Sequence, residues 1–297
     1  FSPRVSLAYA AGENKNQNFR ASFQTGFRNP TTQDQYIGLD VGSAILVGGV
    51  EENQDRYSLT LADGSVITGR DAYENSFTLA SGGTVKADVD FVKPEKVTAF
   101  EVGYRGLLLE DSQRITVDLS VYYNQYEDFI ANKNVIVPYN LTGGFKVFQL
   151  YTNSAADISS YGATLGVNTK VFNGFDFGVN YTFAKFDFDQ SSDPDFEAGF
   201  NTPEHKVKLQ FGKTNLFKNF GFNINARWQD EYRWESTFVD GTIKSRTVLD
   251  AQINYSVPSI KSVFKLGGAN LTGQEYLSAP GIGAIGSQYY ISWTINN

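Results

Sequence analysis

Apolar and polar positions alternate along this chain with a period of two. Phe19, Ala21, Phe23, Thr25 and Phe27 fall on one face of an extended segment, and Arg20, Ser22, Gln24, Gly26 and Arg28 on the other. Phe100, Val102 and Tyr104 alternate in the same way with Glu101, Gly103 and Arg105. Further on, Ile115, Val117, Leu119, Val121 and Tyr123 alternate with Thr116, Asp118, Ser120, Tyr122 and Asn124. Successive side chains of a strand point to opposite faces, so each such run sets one face in an apolar medium and the other in a polar one. Strands of soluble sandwiches run to about 5–6 residues. Strands of about 9–11 residues fit a bilayer crossed at a tilt.

Carried along the whole chain, the pattern predicts about eleven strands. They are Ser2–Ala10, Phe19–Arg28, the two strands of Lys96–Gln125, Ser160–Phe172, Phe175–Asp187, Glu204–Gly212, Phe220–Gln229, Arg246–Ser256, Lys261–Asn270 and Gln288–Asn296. Short turns join them at Gly12–Asn16, Glu110-Asp111-Ser112-Gln113, Asn173-Gly174, Asn215–Lys218 and Val257-Pro258-Ser259. Between these lie long connections at Thr31–Glu95, Ala131–Ala156, Phe188–Pro203, Asp230–Lys244 and Thr272–Gly286. Tight turns at one end and long loops at the other are the habit of outer-membrane barrels, whose long loops are extracellular. The expected fold is therefore all-β: an antiparallel transmembrane β-barrel segment in the bacterial outer membrane. An odd strand number does not close such a barrel, so eleven strands would be half of about 22. The insertion at residues 29–95 lacks core patterning and is expected to be a functional surface loop, with hairpin-like pieces at Tyr57–Leu61 and Val66–Gly69.

The two faces differ in what they can touch. Aromatic residues gather near one rim (Tyr122, Tyr123, Tyr126, Phe129, Trp228, Tyr232, Trp234) and near the other (Phe172, Phe175, Phe217, Phe220). The polar face carries Arg20, Gln24, Arg28, Glu101, Arg105, Asp118, Asn124 and Arg227, together with Asn168, Asn180, Asn223, Asn225 and Asp250. A charge facing lipid near the midplane costs about 2–4 kcal/mol, so these residues are expected to face a wet lumen or a plug. Tyr122 and Tyr290 share that face, either as substrate contacts or as a hydrogen-bonded lining.

Composition then narrows the chemistry. The 297 residues include neither Cys nor Met, which removes disulfides, thiolate metal sites and a cysteine nucleophile. No run approaches 18 apolar residues, which excludes a helical span but not a barrel. A net charge of −7 argues against nucleic acid as a partner. The chain opens at Phe1 within a strand, so a fragment of a longer protein is expected. His205 is the lone histidine; Glu204 stands beside it, but no nucleophile motif accompanies it, and a rim-facing polar role is expected rather than catalysis. Asp187, Asp189, Asp193 and Asp195 are candidate oxygen ligands for calcium in an outer loop, although Ser191 and Ser192 break the EF-hand pattern and a solvated acidic loop is the alternative. Asn140-Leu141-Thr142 and Asn270-Leu271-Thr272 match a glycosylation acceptor pattern by coincidence.

Several motifs carry a resemblance. Phe1-Ser2-Pro3-Arg4-Val5 and Phe19-Arg20-Ala21-Ser22-Phe23-Gln24-Thr25-Gly26-Phe27-Arg28-Asn29-Pro30-Thr31 resemble the mid-barrel signature of TonB-dependent outer-membrane transporters. In those proteins a Gly-Phe-Arg-x-Pro-Thr strand end leads into a long outer loop. Pro94-Glu95-Lys96-Val97-Thr98-Ala99-Phe100-Glu101-Val102-Gly103-Tyr104 is similar to the strand that follows. Gly267-Gly268-Ala269-Asn270-Leu271-Thr272 and Tyr289-Tyr290-Ile291-Ser292-Trp293-Thr294 are similar to the last two. The resemblance implies a barrel of about 22 strands, of which this chain would be the C-terminal half. A plug and a TonB-contacting box would lie upstream. It implies active, TonB-driven import of a scarce large nutrient: a siderophore, haem, a vitamin, a glycan or a peptide. No enzyme activity or cofactor is implied. The implied partners are outer-membrane lipid and lipopolysaccharide and the TonB complex; whether a surface lipoprotein lid sits on the outer mouth stays open. Family members commonly end on an aromatic residue, whereas Asn296-Asn297 stand here. The rival readings are a docking subunit of an envelope machine, an outer-membrane enzyme and a passive porin.

Overall fold

The period-two segments become eleven long strands in a computed structural model that describes residues 1–109, 114–139, 144–171, 173–236 and 239–295. The turn Glu110–Gln113, the Asn140-Leu141-Thr142 pattern, Phe172 and the terminal Asn296-Asn297 lie outside the described residues. The strands are β1 (Arg4–Ala11), β2 (Gln17–Arg28), β3 (Glu95–Leu109), β4 (Ile115–Glu127), β5 (Ile158–Val171) and β6 (Phe175–Asp187). After them come β7 (His205–Phe217), β8 (Phe220–Gln229), β9 (Arg246–Val257), β10 (Ser262–Ala269) and β11 (Gln288–Ile295). They pair in chain order as one antiparallel sheet, β1 and β11 at its edges. Tight turns collect at one end and long connections at the other, as the sequence predicts.

Register fixes the faces. Leu7, Ala21, Val102, Val121, Ala163 and Phe183 form one row across six strands. Phe222, Ile253, Leu266 and Ile291 form another across the last four. Much of this belt is open, with Leu7 70 % exposed, Val102 56 % and Ile291 82 %. Leaving such a side chain in water forfeits about 1.5–3 kcal/mol of burial. A belt of this extent belongs against lipid, not solvent. Rings stack along it, with Phe19 5.0 Å from Tyr104, Phe23 5.0 Å from Phe100 and Phe264 5.9 Å from Trp293.

The packed core lies elsewhere, in the long connections. Ile45, Val47, Ile67, Tyr73, Val135, Phe148 and Leu150 belong to one buried cluster. Its frame is a second sheet in which the strands Phe196–Glu197, Ile130–Pro138, Phe145–Asn153, Ile45–Val47 and Gly38–Asp40 follow one another, with Phe77–Thr78 also paired to Ile130–Pro138. Three short helices complete it: α1 (Thr32–Tyr36), α2 (Glu51–Gln54) and α3 (Gly69–Glu74). Reciprocal caps start α1 and α3, Thr31 with Asp34 and Thr68 with Asp71. Segment 29–95, expected to lack a core, thus supplies half of one; the other half is the 130–153 hairpin. One strand also outruns its prediction: β7 continues past Gly212 to Phe217 through an irregularity between Lys213 and Phe217, so Asn215 and Leu216 are strand rather than turn.

Candidate functional site

The polar face of the eleven-stranded sheet is a network of charges. Arg20 on β2 reaches Glu101 on β3 at 3.3 Å and Asp118 on β4 at 3.9 Å, and Arg105 reaches Asp118 at 3.7 Å. Gln24 and Asn124 line a hollow of about 340 Å³ beside this group, and Asn124 donates to Ser160 Oγ at 3.1 Å. Arg28 stands apart at the loop end of β2, where it meets Glu95 at 2.9 Å and donates to the Ile130 carbonyl at 3.3 Å. Arg227 lies farther round on β8 and pairs with Asp250 at 2.8 Å. Sequence reasoning picked all of these cations but passed over two partners. Glu95 shows itself only through its register opposite Arg28, and Ser160 only through its register opposite Asn124.

Aromatic residues on this face lie flat over glycine. A Cβ on Gly162 would fall 2.7 Å from the Tyr122 ring, and one on Gly267 would fall 2.5 Å from the Tyr290 ring. Tyr290 donates to Gln252 Oε1 at 2.9 Å, which ties β11 to β9. Tyr122 and Tyr290 are therefore folded onto the sheet. Tyr123 and Trp228, by contrast, stand out on the apolar belt.

Every carboxylate that the register places on the polar face among the described residues has a basic partner: Glu95 with Arg28, Glu101 and Asp118 with Arg20, Asp176 with Lys170, and Asp250 with Arg227. Cations are left over. Arg4, Lys206, Lys208 and Lys265 share the face and have no carboxylate partner among the described residues. Lys206 and Lys208 border a hollow of about 500 Å³ floored by Thr164, Gly166, Asn180 and Thr182, with Asp118 also on its wall.

At the loop end the balance reverses. A cavity of about 430 Å³ is bordered by Asp195, Glu197, Glu235 and Asp240 with Arg233 among them. Burial raises the Glu197 carboxyl above its ordinary value, and Asp240 and Glu235 push the same way. Burial also raises Asp195, with Asp193 adding to it. Between this cavity and the sheet, Phe129 packs against Tyr126, Phe186 and Phe196 with ring centres 5.3, 5.5 and 6.0 Å away. Tyr126 and Phe129, expected at a membrane rim, instead join the loops to the polar face.

Two of the aspartates considered for calcium, Asp193 and Asp195, tie separate loops together. Asp193 is 4 % exposed, pairs with Lys133 at 3.0 Å and accepts from Ser154 Oγ at 2.8 Å. Asp195 accepts from Ala80 N at 2.7 Å, and Asp189 from Ser191 N at 2.9 Å. Among the described residues no three acidic or histidine side chains converge so as to hold a metal ion. His205 opens β7 on the apolar face, its Nδ1 2.8 Å from the Tyr181 hydroxyl and its ring stacked 5.2 Å from Phe183.

A family model described as the β-barrel of TonB dependent receptor-like proteins matches residues 1–271. No curated protein matches the sequence. Among solved structures, the FrpB iron transporter from Neisseria meningitidis superposes with a TM-score of 0.59 at 13% identity, over 98% of this chain and 38% of its own. The copper transporter OprC gives 0.57 at 14%, over 93% and 34%. The siderophore receptor PirA from Acinetobacter baumannii gives 0.58 at 12%, over 98% and 40%. The chain spans 40% or less of the length of these proteins. Their likeness is one of fold. With the family match running through ten of the eleven strands, this chain belongs to the TonB-dependent receptors, the transport barrels of the outer membrane.

Proposed function

We propose that the chain is the C-terminal wall of an outer-membrane importer driven through TonB, with its long loops outside the cell. The observation that carries this reading is the sorting of the sheet: apolar belt on one face, charge network on the other, tight turns at one end, packed loops at the other. Unpaired strand edges do not persist in lipid, so β1 and β11 call for partner strands that close the barrel. The polar face then lines a lumen, and Arg20, Gln24, Arg28, Glu101, Arg105, Asp118, Asn124 and Arg227 face an inner plug domain. The cargo is a scarce nutrient too large for passive diffusion; the neighbours named for iron, copper and siderophores favour a metal or its chelate. No residue of the wall performs chemistry in this scheme.

Growth on candidate iron and copper chelates as sole metal source tests the reading, comparing the deletion strain, the strain restored with the full-length protein and a strain lacking TonB. Uptake that needs both the protein and TonB supports it. Uptake indifferent to TonB overturns it in favour of a pore or a docking subunit. A surface lid over the loop end is a second reading, favoured by the exposed Leu39, Val66, Val85 and Phe145 of the loop sheet and its surroundings.

A further inference from the structure

We propose that the turn ends of β7 to β10 form, on the lipid face, a binding site for the phosphate headgroup of an anionic phospholipid. The inference rests on the proposed function for the side of the membrane: with the loops outside the cell, this end lies in the inner leaflet. It adds a ligand class and a place on the wall that import itself does not call for.

Three observations carry it. The first is charge. Residues 210–223 and 252–267, which make up these turn ends, contain four lysines and no carboxylate. Lys265 is on the polar face, but Lys213 lies opposite Phe222 on the belt, and Lys218 and Lys261 sit in the turns themselves. Asp176, at the same end of neighbouring β6, is on the polar face against Lys170. An ammonium group at a membrane surface is drawn to anionic headgroups and has three donors to offer their phosphate oxygens. The second observation is backbone. Lys218 and Lys261 both have a φ of 47°, in the left-handed region that only Gly, and at times Asn or Asp, enters routinely. Lys15 does the same in the first turn, at 51°. A lysine repeated where glycine fits without strain points to a use for its amine. The third is the apolar ground under these amines. Lys213 Nζ lies 4.7 Å from the Phe175 ring centre and donates to the Asn173 carbonyl at 2.8 Å, so its stem follows the belt and its amine reaches the turns. Phe217 and Phe220 flank Lys218 and stack at 4.9 Å, and Ile260, 55 % exposed, stands next to Lys261. Asn219 O accepts from Ser256 N at 2.9 Å, which joins the two turns into one patch. Acyl chains meet the rings of this patch where the headgroup meets its amines.

The test uses the purified full-length receptor in detergent, offered phosphatidylglycerol or phosphatidylcholine with the same acyl chains, and reads retained lipid by native mass spectrometry. The wild-type protein should retain phosphatidylglycerol in preference to phosphatidylcholine. Lys213→Gln, Lys218→Asn and Lys261→Asn combined should cut that preference about tenfold, which is about 1.4 kcal/mol. Asparagine enters the left-handed region more readily than lysine, so the turns should fold at least as well. The amount of folded barrel is read from its heat-modified gel mobility; if the triple variant does not accumulate, Lys218→Asn with Lys261→Asn decides alone. Equal retention of the two lipids by the wild-type protein overturns the proposal, as does a preference that survives the substitutions in folded barrel. An equal loss from Lys206→Gln with Lys208→Gln also overturns it, since charge on either face would then suffice. So does displacement of the lipid by inorganic phosphate, which marks a site for free anions instead. Equal retention in a protein whose import needs TonB sinks this inference and spares the function. Selective retention in a protein without TonB-dependent import does the reverse.

Discussion

Glu95 is 8 % exposed and joins two connections at one point. One of its oxygens, Oε2, takes the Arg28 guanidinium at 2.9 Å and the Ile130 N–H at 3.0 Å. Glu95→Ala strands that buried N–H and leaves Arg28 without its partner. A buried polar group left unsatisfied costs about 1–3 kcal/mol, and Glu95→Gln, which keeps an acceptor, should lose less. We expect the alanine variant to lower the denaturant midpoint of the loop region in the purified full-length protein, the glutamine variant to fall between, and the barrel to remain folded. Equal midpoints for all three proteins would show that the contact holds nothing. At this scale the sequence reveals half of this pair. Arg28 is conspicuous as a charge in an alternating strand; Glu95 sits in a Pro-Glu-Lys run that reads as a loop ending, and only the register across β2 and β3 makes it a partner.

The loop sheet was the least legible element, for a physical reason. Its strand Ile45–Val47 has three residues, too few for alternation to register, and it pairs in parallel with Phe148, Gln149 and Leu150, about a hundred positions later. The long strands announce themselves locally, since each face of β2 or β4 repeats over ten or more residues. β7 is intermediate: Thr214 and Asn215 look like turn residues, yet the strand runs on to stack Phe217 on Phe220 at 4.9 Å. Phe148 has no exposed surface, and truncating a buried Phe costs about 3–5 kcal/mol. Phe148→Ala should therefore open the loops to protease while the heat-modified mobility of the barrel stays as in wild type; loss of both together would mean that sheet and loops fold as one unit. The same element has a pH response. Glu197 and Asp195 hold their protons to higher pH folded than unfolded, because burial and neighbouring carboxylates disfavour their charge. Between the unfolded and the raised folded value the folded loops bind more protons, so their stability falls as pH rises through that window and returns on acidification. Amides of 132–134 and 196–197, corrected for intrinsic exchange, should open less often at about pH 5 than at about pH 8. The opposite order would place the ionised forms as the favoured ones.

The molecule as a whole is built inside out. Its largest sheet contributes nothing to the buried cluster, its apolar residues stand unpartnered, and its charges pair on the opposite face. Each feature alone would be a flaw in a water-soluble protein, and all three are demanded at once by lipid outside and a filled lumen inside. Adjacent positions at the middle of β4 separate these environments. Val121 lies between Val102 and Ala163 on the belt, 44 % exposed; Ser120, one residue earlier, lies between Gly103 and Thr164 on the polar face and shares a hydrogen bond with Thr164 at 2.7 Å. Val121→Lys should cost about 2–4 kcal/mol of stability in a bilayer, because the amine would meet hydrocarbon near the midplane. Ser120→Lys places the same amine on the wet side, near Arg20, and should cost only the lost hydrogen bond, about 0.5–1.5 kcal/mol, plus some like-charge repulsion. Folding of the full-length protein into lipid vesicles across a urea series measures both. If Val121→Lys proves the milder change, the faces have been assigned the wrong way round, and with them the lumen, the lipid site and the transport role.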